Sequence, residues 1–438
     1  MKKILLLASL SALAIVAGCG KGTNKPKTAV IGERIPVLSA QQGLDVDPGL
    51  IDVPVAGPEA IVNDAWAQPG GNAEKALGHV ALPATIARAW SVTIDGDAKG
   101  ARLVANPVIG EGKLFVVDAT ATVHAYDAGT GSRLWEHSLA TGKEDRNAAF
   151  GGGVSYADGK VFATSGLGNV VALDAKTGAE TWKVKPGGPM RGAPAIGAGN
   201  VYALSQDGQL FALNPANGEQ VWSAAATLTQ AHVFGSAAPA IAQGTVVAGF
   251  ASGELSAYRY ENGRAVWQDA LSPTSISISV STLSDITASP VIDQGHVYAI
   301  GQGGRMVAMD LVSGQRLWEL NVGGVSTPWV AGEWVFVVTD QAQVLCIAKG
   351  TGKVRWIADL PHYKNESKKT NPIGWYGPVL AGGRLLLTST DGKLASVGLD
   401  KGDILSTVKA GKSFNLGPVV ANNTLYLLDN DGKLSAWR

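Results

Sequence analysis

The sequence predicts an all-β protein built as an eight-bladed propeller of four-stranded antiparallel blades, on three observations. First, 56 of the 438 residues are glycine and only 16% are charged, against about 25% charged in ordinary globular domains. Many tight turns between short strands fit that composition. Second, tryptophans recur at Trp135, Trp182, Trp222, Trp267, Trp318 and Trp356, with gaps of 47, 40, 45, 51 and 38 residues. Each has a glycine four residues before it, at Gly131, Gly178, Gly218, Gly263, Gly314 and Gly352, and a small residue ten before it, as at Ala125 or Cys346. Third, a period near 40–45 residues is that of a four-stranded propeller blade, whereas solenoids of strands repeat faster.

The elements of one unit follow from its residues. A proline recurs at the start of a unit at Pro107, Pro194, Pro239, Pro290, Pro328, Pro378 and Pro418, in seven of the eight, and proline is tolerated at the first residue of a strand, where no ladder donor is needed. A glycine or asparagine turn comes next, then a β-branched or aromatic run such as KLFVV, NVYAL or HVYAI. The third strand reads like VVALD, a glycine turn follows, and the fourth strand holds the tryptophan. A seventh copy keeps Gly402 but has Ser406 in the tryptophan place. The eighth stops at GKLSAWR, before any fourth strand. Residues 86–94, IARAWSVTI, read as a tryptophan strand with no blade before it. That strand is expected to complete the last blade and so close the ring, leaving only short, protected edges. Residues 88–438 then give about 44 residues for each of eight blades.

The remainder of the chain divides into three parts. Met1-Lys2-Lys3, an apolar run from Ile4 to Ala17 and the tetrapeptide Val16-Ala17-Gly18-Cys19 have the layout of a secretory signal peptide over 1–18. The run is too short to span a bilayer comfortably. Residues 19–60 read as a tether, since Pro26, Pro36, Pro48, Pro54 and Pro58 interrupt any helix or central strand. Residues 61–87 precede the countable blades, and no periodicity explains them.

Several function classes are excluded or weakened by the same residues. Lys+Arg and Asp+Glu both number 36, so the basic excess of a nucleic-acid binder is absent. Cys19 and Cys346 are the only two cysteines, which excludes a CxxC pair and a four-cysteine zinc site. No GxSxG, P-loop or helix-opening GxGxxG occurs. Gly151-Gly152-Gly153 precedes a strand and reads as a strand entry rather than a phosphate cradle. Asp95-Gly96-Asp97 reads as a solvated turn. His124 and His296 occupy strand positions and read as hydrogen-bonded structural histidines, and Cys346 as packed core. The signature tryptophans read as packing between blades. No catalytic residue, metal ligand or cofactor is expected.

The TGxxxW runs resemble the pyrroloquinoline-quinone-type propeller repeat, and the Val-Ala-Gly-Cys tetrapeptide resembles the lipobox of bacterial lipoproteins. Lipobox, tether and one eight-bladed domain together resemble the assembly factor B family, lipoproteins of the outer-membrane β-barrel assembly machinery. The resemblance implies acylation of Cys19, with Gly20 directing the chain to the outer membrane, on its periplasmic face. It implies a non-enzymatic scaffold whose partner is the barrel-assembly protein (BamA-like) with its complex, and extends to unfolded outer-membrane proteins. The WAQPGGN stretch at 66–72 is similar to a lead-in before other quinoprotein-type repeats.

Loops locate the expected partner site. The longest inter-blade links are about 136–150, 268–288 and 357–375, on the face opposite the glycine turns, and variable loops on a rigid scaffold are where binding usually sits. The family's LSDxD stretch matches Leu283-Ser284-Asp285-Ile286-Thr287, with threonine in place of the second aspartate. Its LxLRG stretch becomes Ala231-His232-Val233-Phe234-Gly235, so an apolar anchor replaces an arginine. Val233, Phe234, Leu283, Ser284 and Asp285 are therefore the candidate partner-binding residues. Ser275–Val280 alternates polar and apolar and reads as either an added edge strand or a Ser/Thr-rich loop. Lys364, Lys368 and Lys369 make the last link basic. The alternative readings are a quinone-dependent periplasmic dehydrogenase, whose adjacent cysteine pair this sequence lacks, and a propeller lectin or cell-wall binder.

Overall fold

The structure is a computed structural model that describes residues 44–96, 103–140, 142, 149, 151–190, 192–227, 237–271 and 285–438. Residues from Leu44 to Arg438 form one compact unit. It contains eight four-stranded antiparallel sheets, the blades, and one separate two-stranded hairpin. Blade 1 runs Val108–Gly110, Lys113–Val117, Thr122–Asp127 and Arg133–Ser138. Blades 2 to 7 repeat this order, and blade 7 ends with Ile404–Lys409. Blade 8 combines Val419–Ala421, Thr424–Leu428 and Lys433–Trp437 with Arg88–Thr93, which pairs antiparallel with Lys433–Trp437.

Local chemistry sets each hairpin. In blades 1 to 5, 7 and 8 both central residues of the first turn have positive φ, as at Glu111 (48°) with Gly112 (71°) and Asn422 (49°) with Asn423 (56°). This mirror-image turn matches the twist of the flanking strands. The second strand is buried almost throughout, as in Lys113–Val117, where every residue but the first is buried. The second and third strands lie between a first strand, of three residues in six of the blades, and a fourth strand that is mostly exposed outside blade 6, so the core lies in layers between neighbouring blades.

The repeat's tryptophan locks each blade to the next. Trp222 pairs across its own sheet with Ala212, and a small residue stands opposite every docking tryptophan, Cys346 opposite Trp356 included. The ring then covers the glycine of the following blade. At Gly131, Gly178, Gly218, Gly263, Gly314, Gly352 and Gly402 an added Cβ would lie 2.5–2.7 Å from the preceding blade's indole, and φ is +69° to +76°. Glycine is required there on both counts. Each indole N–H also donates to a carbonyl of that next blade, from Trp90 to Ala128 at 3.2 Å to Trp356 to Leu399 at 2.7 Å.

One seam lacks this lock. Ser406 occupies the tryptophan place in blade 7, opposite Ser396, and blade 8 has no turn joining its third and fourth strands because those strands lie at opposite ends of the chain. The seam is held instead by the link before blade 8. Phe414 is buried, its N–H donates to Ser389 O at 3.0 Å, and Thr388 Oγ1 donates to Leu416 O at 2.6 Å. Outside it, Ile404, Leu405 and Val408 are exposed. Amide hydrogen exchange should therefore be faster in Ile404–Lys409 than in the equivalent strand Gln220–Ala225, because local opening follows contact density. Equal protection would show that the link alone replaces the tryptophan.

Residues 61–82 touch all eight blades through hydrogen bonds to their innermost strands and the adjoining turns. Asn63 Nδ2 donates to Val420 O of blade 8 at 2.8 Å. Trp66 exchanges both main-chain bonds with Ile109 of blade 1 at 2.9 Å, and Ala67 O accepts from Tyr156 N of blade 2 at 2.7 Å. The Gln68 amide closes a pair with Ile196 of blade 3, at 3.0 and 3.1 Å. Ala73 O and Glu74 O accept from Ile241 N of blade 4 and Ile292 N of blade 5 at 2.9 and 2.8 Å. Gly78 O accepts from the Trp329 indole of blade 6 at 2.7 Å, and Val80 bridges to blade 7 through Leu380 and Gly382. Residues 44–58, placed by sequence in the tether, meet blades 6 and 7. Asp47 N donates to Val354 O at 2.8 Å, Arg355 Nε donates to Val53 O at 2.7 Å, and Val55 is buried.

Candidate functional site: the inter-blade links and the axial cavity

Four of the five candidate partner residues, Val233, Phe234, Leu283 and Ser284, lie outside the described residues, as do Cys19 and Ser275–Val280. The fifth, Asp285, is 1% exposed. Its carbonyl accepts from Gln302 N of blade 5 at 3.0 Å, and the next residue, Ile286, donates to Phe250 O of blade 4 at 3.1 Å. The Ile286 side chain fills the space beside Gly249. Asp285 thus sits at the buried base of its link, wedged between two blades.

The two links meet at their ends. Ala238 N, closing the link after blade 3, donates to Ser289 Oγ at 3.0 Å, at the end of the link after blade 4. Ser289 N continues to Thr327 Oγ1 at 3.2 Å, in the link after blade 5. Consecutive links therefore share a hydrogen-bonded inner edge.

The basic link after blade 6 is more ordered than a solvated loop. Tyr363–Asn365 pairs with Thr370–Pro372 as a hairpin. Glu366 Oε1 caps it, accepting from His362 N and Tyr363 N at 2.9 Å each. The Trp375 indole donates to Pro361 O at 2.9 Å. Lys368 and Lys369 are exposed, while Lys364 reaches Asp391 at 3.4 Å. Contact with Lys393 first, then Lys364, holds the Asp391 carboxyl below its ordinary range.

Groups with possible chemistry resolve into structural roles. His124 Nε2 bonds Asp118 Oδ2 at 2.8 Å, and Asp118 Oδ1 also accepts from Thr120 and Thr122 in the adjoining turn. Gly153 stands where a Cβ would strike Ala105 and Ala193 near the axis, directly before the strand Val154–Ala157. Among the described residues no three His, Cys, Asp or Glu side chains gather as metal ligands. Cys346 is fully buried, and desolvation pushes its thiol well above the usual range. A thiolate reagent should leave it unmodified in the native protein and label it only on unfolding; rapid native labelling would contradict that burial.

The axis holds a cavity of about 130 Å³. Residues 61–82 supply Trp66, Gly70 and Lys75 to its wall, and the links before several blades supply Asn106, Thr287 and Leu416. Trp66 stacks on Trp329 at 5.9 Å with an interplanar angle of 16°. Lys75 is 1% exposed, and desolvation lowers its ammonium to about 7. Sequence reasoning missed this arrangement because main-chain bonds carry most of the segment's contacts, and they leave no side-chain period.

Fold and repeat define an eight-bladed propeller of the quinoprotein-repeat class. The family model described as "Outer membrane protein assembly factor BamB" matches residues 79–149 and 119–358, and the chain belongs to that family. The assembly factor BamB of Moranella endobia is 26% identical over 326 residues, 73% of this chain and 82% of its own. The crystal structure of BamB from Moraxella catarrhalis covers 81% of this chain and 100% of its own at a TM-score of 0.69 and 22% identity. A europium-containing methanol dehydrogenase covers 85% of this chain and 89% of its own at a TM-score of 0.65 and 15% identity, which is a likeness of fold alone. Among the described residues no helix is long and apolar enough to cross a membrane.

Proposed function

We propose that this chain is a non-enzymatic scaffold lipoprotein of the outer-membrane β-barrel assembly machinery. In this reading acylated Cys19 holds it to the periplasmic face of the outer membrane, and the links after blades 3 and 4 bind the barrel-assembly protein. Family membership carries the reading, because the matched model and the relatives bear the name of outer membrane protein assembly factors.

The geometry supports the choice of links. Those after blades 3 and 4 are joined at Ala238 and Ser289, so both rejoin the ring side by side. Phe234 supplies an aromatic anchor, Val233 and Leu283 apolar flanks, and Ser284 a polar contact. Asp285 fixes the base of the second link. The dehydrogenase alternative lacks its adjacent cysteine pair, since the only two cysteines are Cys19 and Cys346.

Crosslinking in solubilised outer membrane should recover the barrel-assembly protein. With purified partners, Phe234→Ala should weaken the complex about thirtyfold, the effect of losing a central aromatic anchor. Lys368→Ala, a rim charge, should change affinity by less than about threefold, and neither variant should alter the melting temperature. Failure to recover the partner would overturn the function. Wild-type affinity in Phe234→Ala would overturn the anchor.

A further inference from the structure

We infer that the seam between blades 7 and 8 carries a binding groove for a phosphate-bearing anion. The inference is independent of partner binding, because this seam lies halfway round the ring from the links after blades 3 and 4. It rests on where the cations of the two blades gather and on how few carboxylates are left to them. The seam has no indole across it, and a groove of about 520 Å³ lies there between the end of the fourth strand of blade 7 and the outer strands of blade 8. Its wall holds four cations, Arg88, Lys409, Lys412 and Lys433, against two carboxylates, Asp429 and Asp431, a formal surplus of two positive charges.

Both carboxylates are already occupied. Asp429 is 2% exposed, and its oxygens accept from the main-chain N–H groups of Asp431, Lys433 and Lys412 at 3.1, 2.9 and 3.1 Å. Asp431 pairs with Lys412 across the seam. Beside the groove, the Asp391 carboxylate meets Lys393 at 3.0 Å and Lys364 at 3.4 Å. The Lys409 ammonium, 2.7 Å from the Asp391 carbonyl oxygen, therefore finds only a neutral acceptor. The Arg88 guanidinium lies over the Trp437 ring at 5.8 Å. Among the described residues Arg88, Lys409 and Lys433 have no carboxylate in ion-pair range. Like charges held together repel, and an anion in the groove would relieve that repulsion.

The chemistry of the anion follows from charge and donors. Ammonium groups bind phosphate as point charges, and a guanidinium adds two parallel donors. A phosphomonoester carries about −1.5 to −2 charge at neutral pH and three strong acceptor oxygens. That matches the surplus of two, whereas a single carboxylate neutralises half of it. The groove is open, with Arg88 and Lys412 exposed, and its size falls within the range of about 300–1,000 Å³ for small-ligand sites. It therefore admits either a phosphate ester from solution or a phospholipid headgroup presented by a membrane.

The test is titration of the purified full chain carrying Cys19→Ser, so that no acyl group contributes. The probes are phytate, vesicles of phosphatidylcholine with and without phosphatidic acid, and polyglutamate. Phytate should bind at one saturable site and more weakly as salt is raised. Lys409→Gln combined with Lys433→Gln should weaken it about twenty-five-fold, about fivefold for each charge removed. Lys176→Gln combined with Lys185→Gln removes the same net charge from exposed positions in blade 2 and the link after it, and should change affinity less than about twofold. Neither pair should lower the melting temperature; should the groove pair not fold, Arg88→Gln provides the comparison with a smaller loss. Vesicles that bind only with phosphatidic acid, and are displaced by phytate, identify a lipid headgroup as the source. Phytate binding without vesicle binding identifies a free phosphate ester. Polyglutamate should bind at least about tenfold more weakly than phytate. No saturable phytate binding, or an equal loss in the two lysine pairs, would overturn the inference. So would polyglutamate binding as tightly as phytate with the same loss in the groove pair, which would assign the groove to an acidic polypeptide.

Discussion

Trp222→Ala is expected to destabilise the protein by about 3–5 kcal/mol, the range for truncating a buried tryptophan. Its ring is 6% exposed and lies between Tyr202 and Tyr258, at 5.7 and 6.2 Å. It also donates to Tyr260 O at 2.8 Å, tying blade 3 to blade 4. Gly263→Ala attacks the same seam from the other side. It places a methyl 2.5 Å from the indole at a φ of +69°, so the steric clash adds to a left-handed backbone penalty of about 1–2 kcal/mol. In the Trp222→Ala background the clash disappears and only the backbone penalty remains. Denaturant melts of both single variants and the double variant should therefore show a coupling of at least about 1 kcal/mol, as expected for residues in contact. Additive losses would mean that the glycine serves its turn alone and does not seat the ring.

Trp66→Ala is expected to cost a comparable amount, about 3–5 kcal/mol, although Trp66 belongs to no blade. The residue is 2% exposed, stacks on Trp329, and forms both main-chain bonds to Ile109. Truncation would leave a hole at the axis beside Trp329 of blade 6, while the main-chain bonds to Ile109 of blade 1 remain. If residues 61–82 were only laid over a self-sufficient ring, the loss would stay below about 1 kcal/mol, the usual scale for a surface change. Limited proteolysis separates the two cases further, since a loosened segment should be cut in Trp66→Ala well before the blades are.

The blades were legible because their chemistry is written in side chains at fixed spacing. Glycine four before tryptophan encodes a clash avoided across a seam, and alanine ten before it encodes the small cross-strand neighbour of a large ring. Ser406 was legible as a departure, and its meaning, a seam without an indole, needed only the neighbour relation. The axial segment was not legible. Ala67, Ala73, Glu74 and Gly78 use their carbonyl groups, and any residue type can do that. Lys75 illustrates the difficulty from the other direction: a lone lysine between glutamate and alanine reads as solvated surface, and only the surrounding ring makes it buried. Of the partner links, Phe234, which replaces the family's arginine, and Leu283 carry the proposed anchor and flank, and both lie outside the described residues. Asp285 stood out through family resemblance as a contact residue, whereas its burial depends on Gly249 and Gln302, far away in sequence.

Blade 8 joins the two ends of the chain, and Asn63 reaches a carbonyl 357 residues away. That places a constraint on time as well as on shape. A chain synthesised from its N-terminus delivers Asn63, Trp66 and the strand Arg88–Thr93 first, yet Val420 and Lys433–Trp437 arrive last. The earliest segments must wait, unpaired, through the emergence of seven blades. Pairings of such long sequence separation also fold slowly. The beginning of this chain is thus exposed longest before it finds its partners, and loss of only a few residues at the far end would strand a segment that was made first.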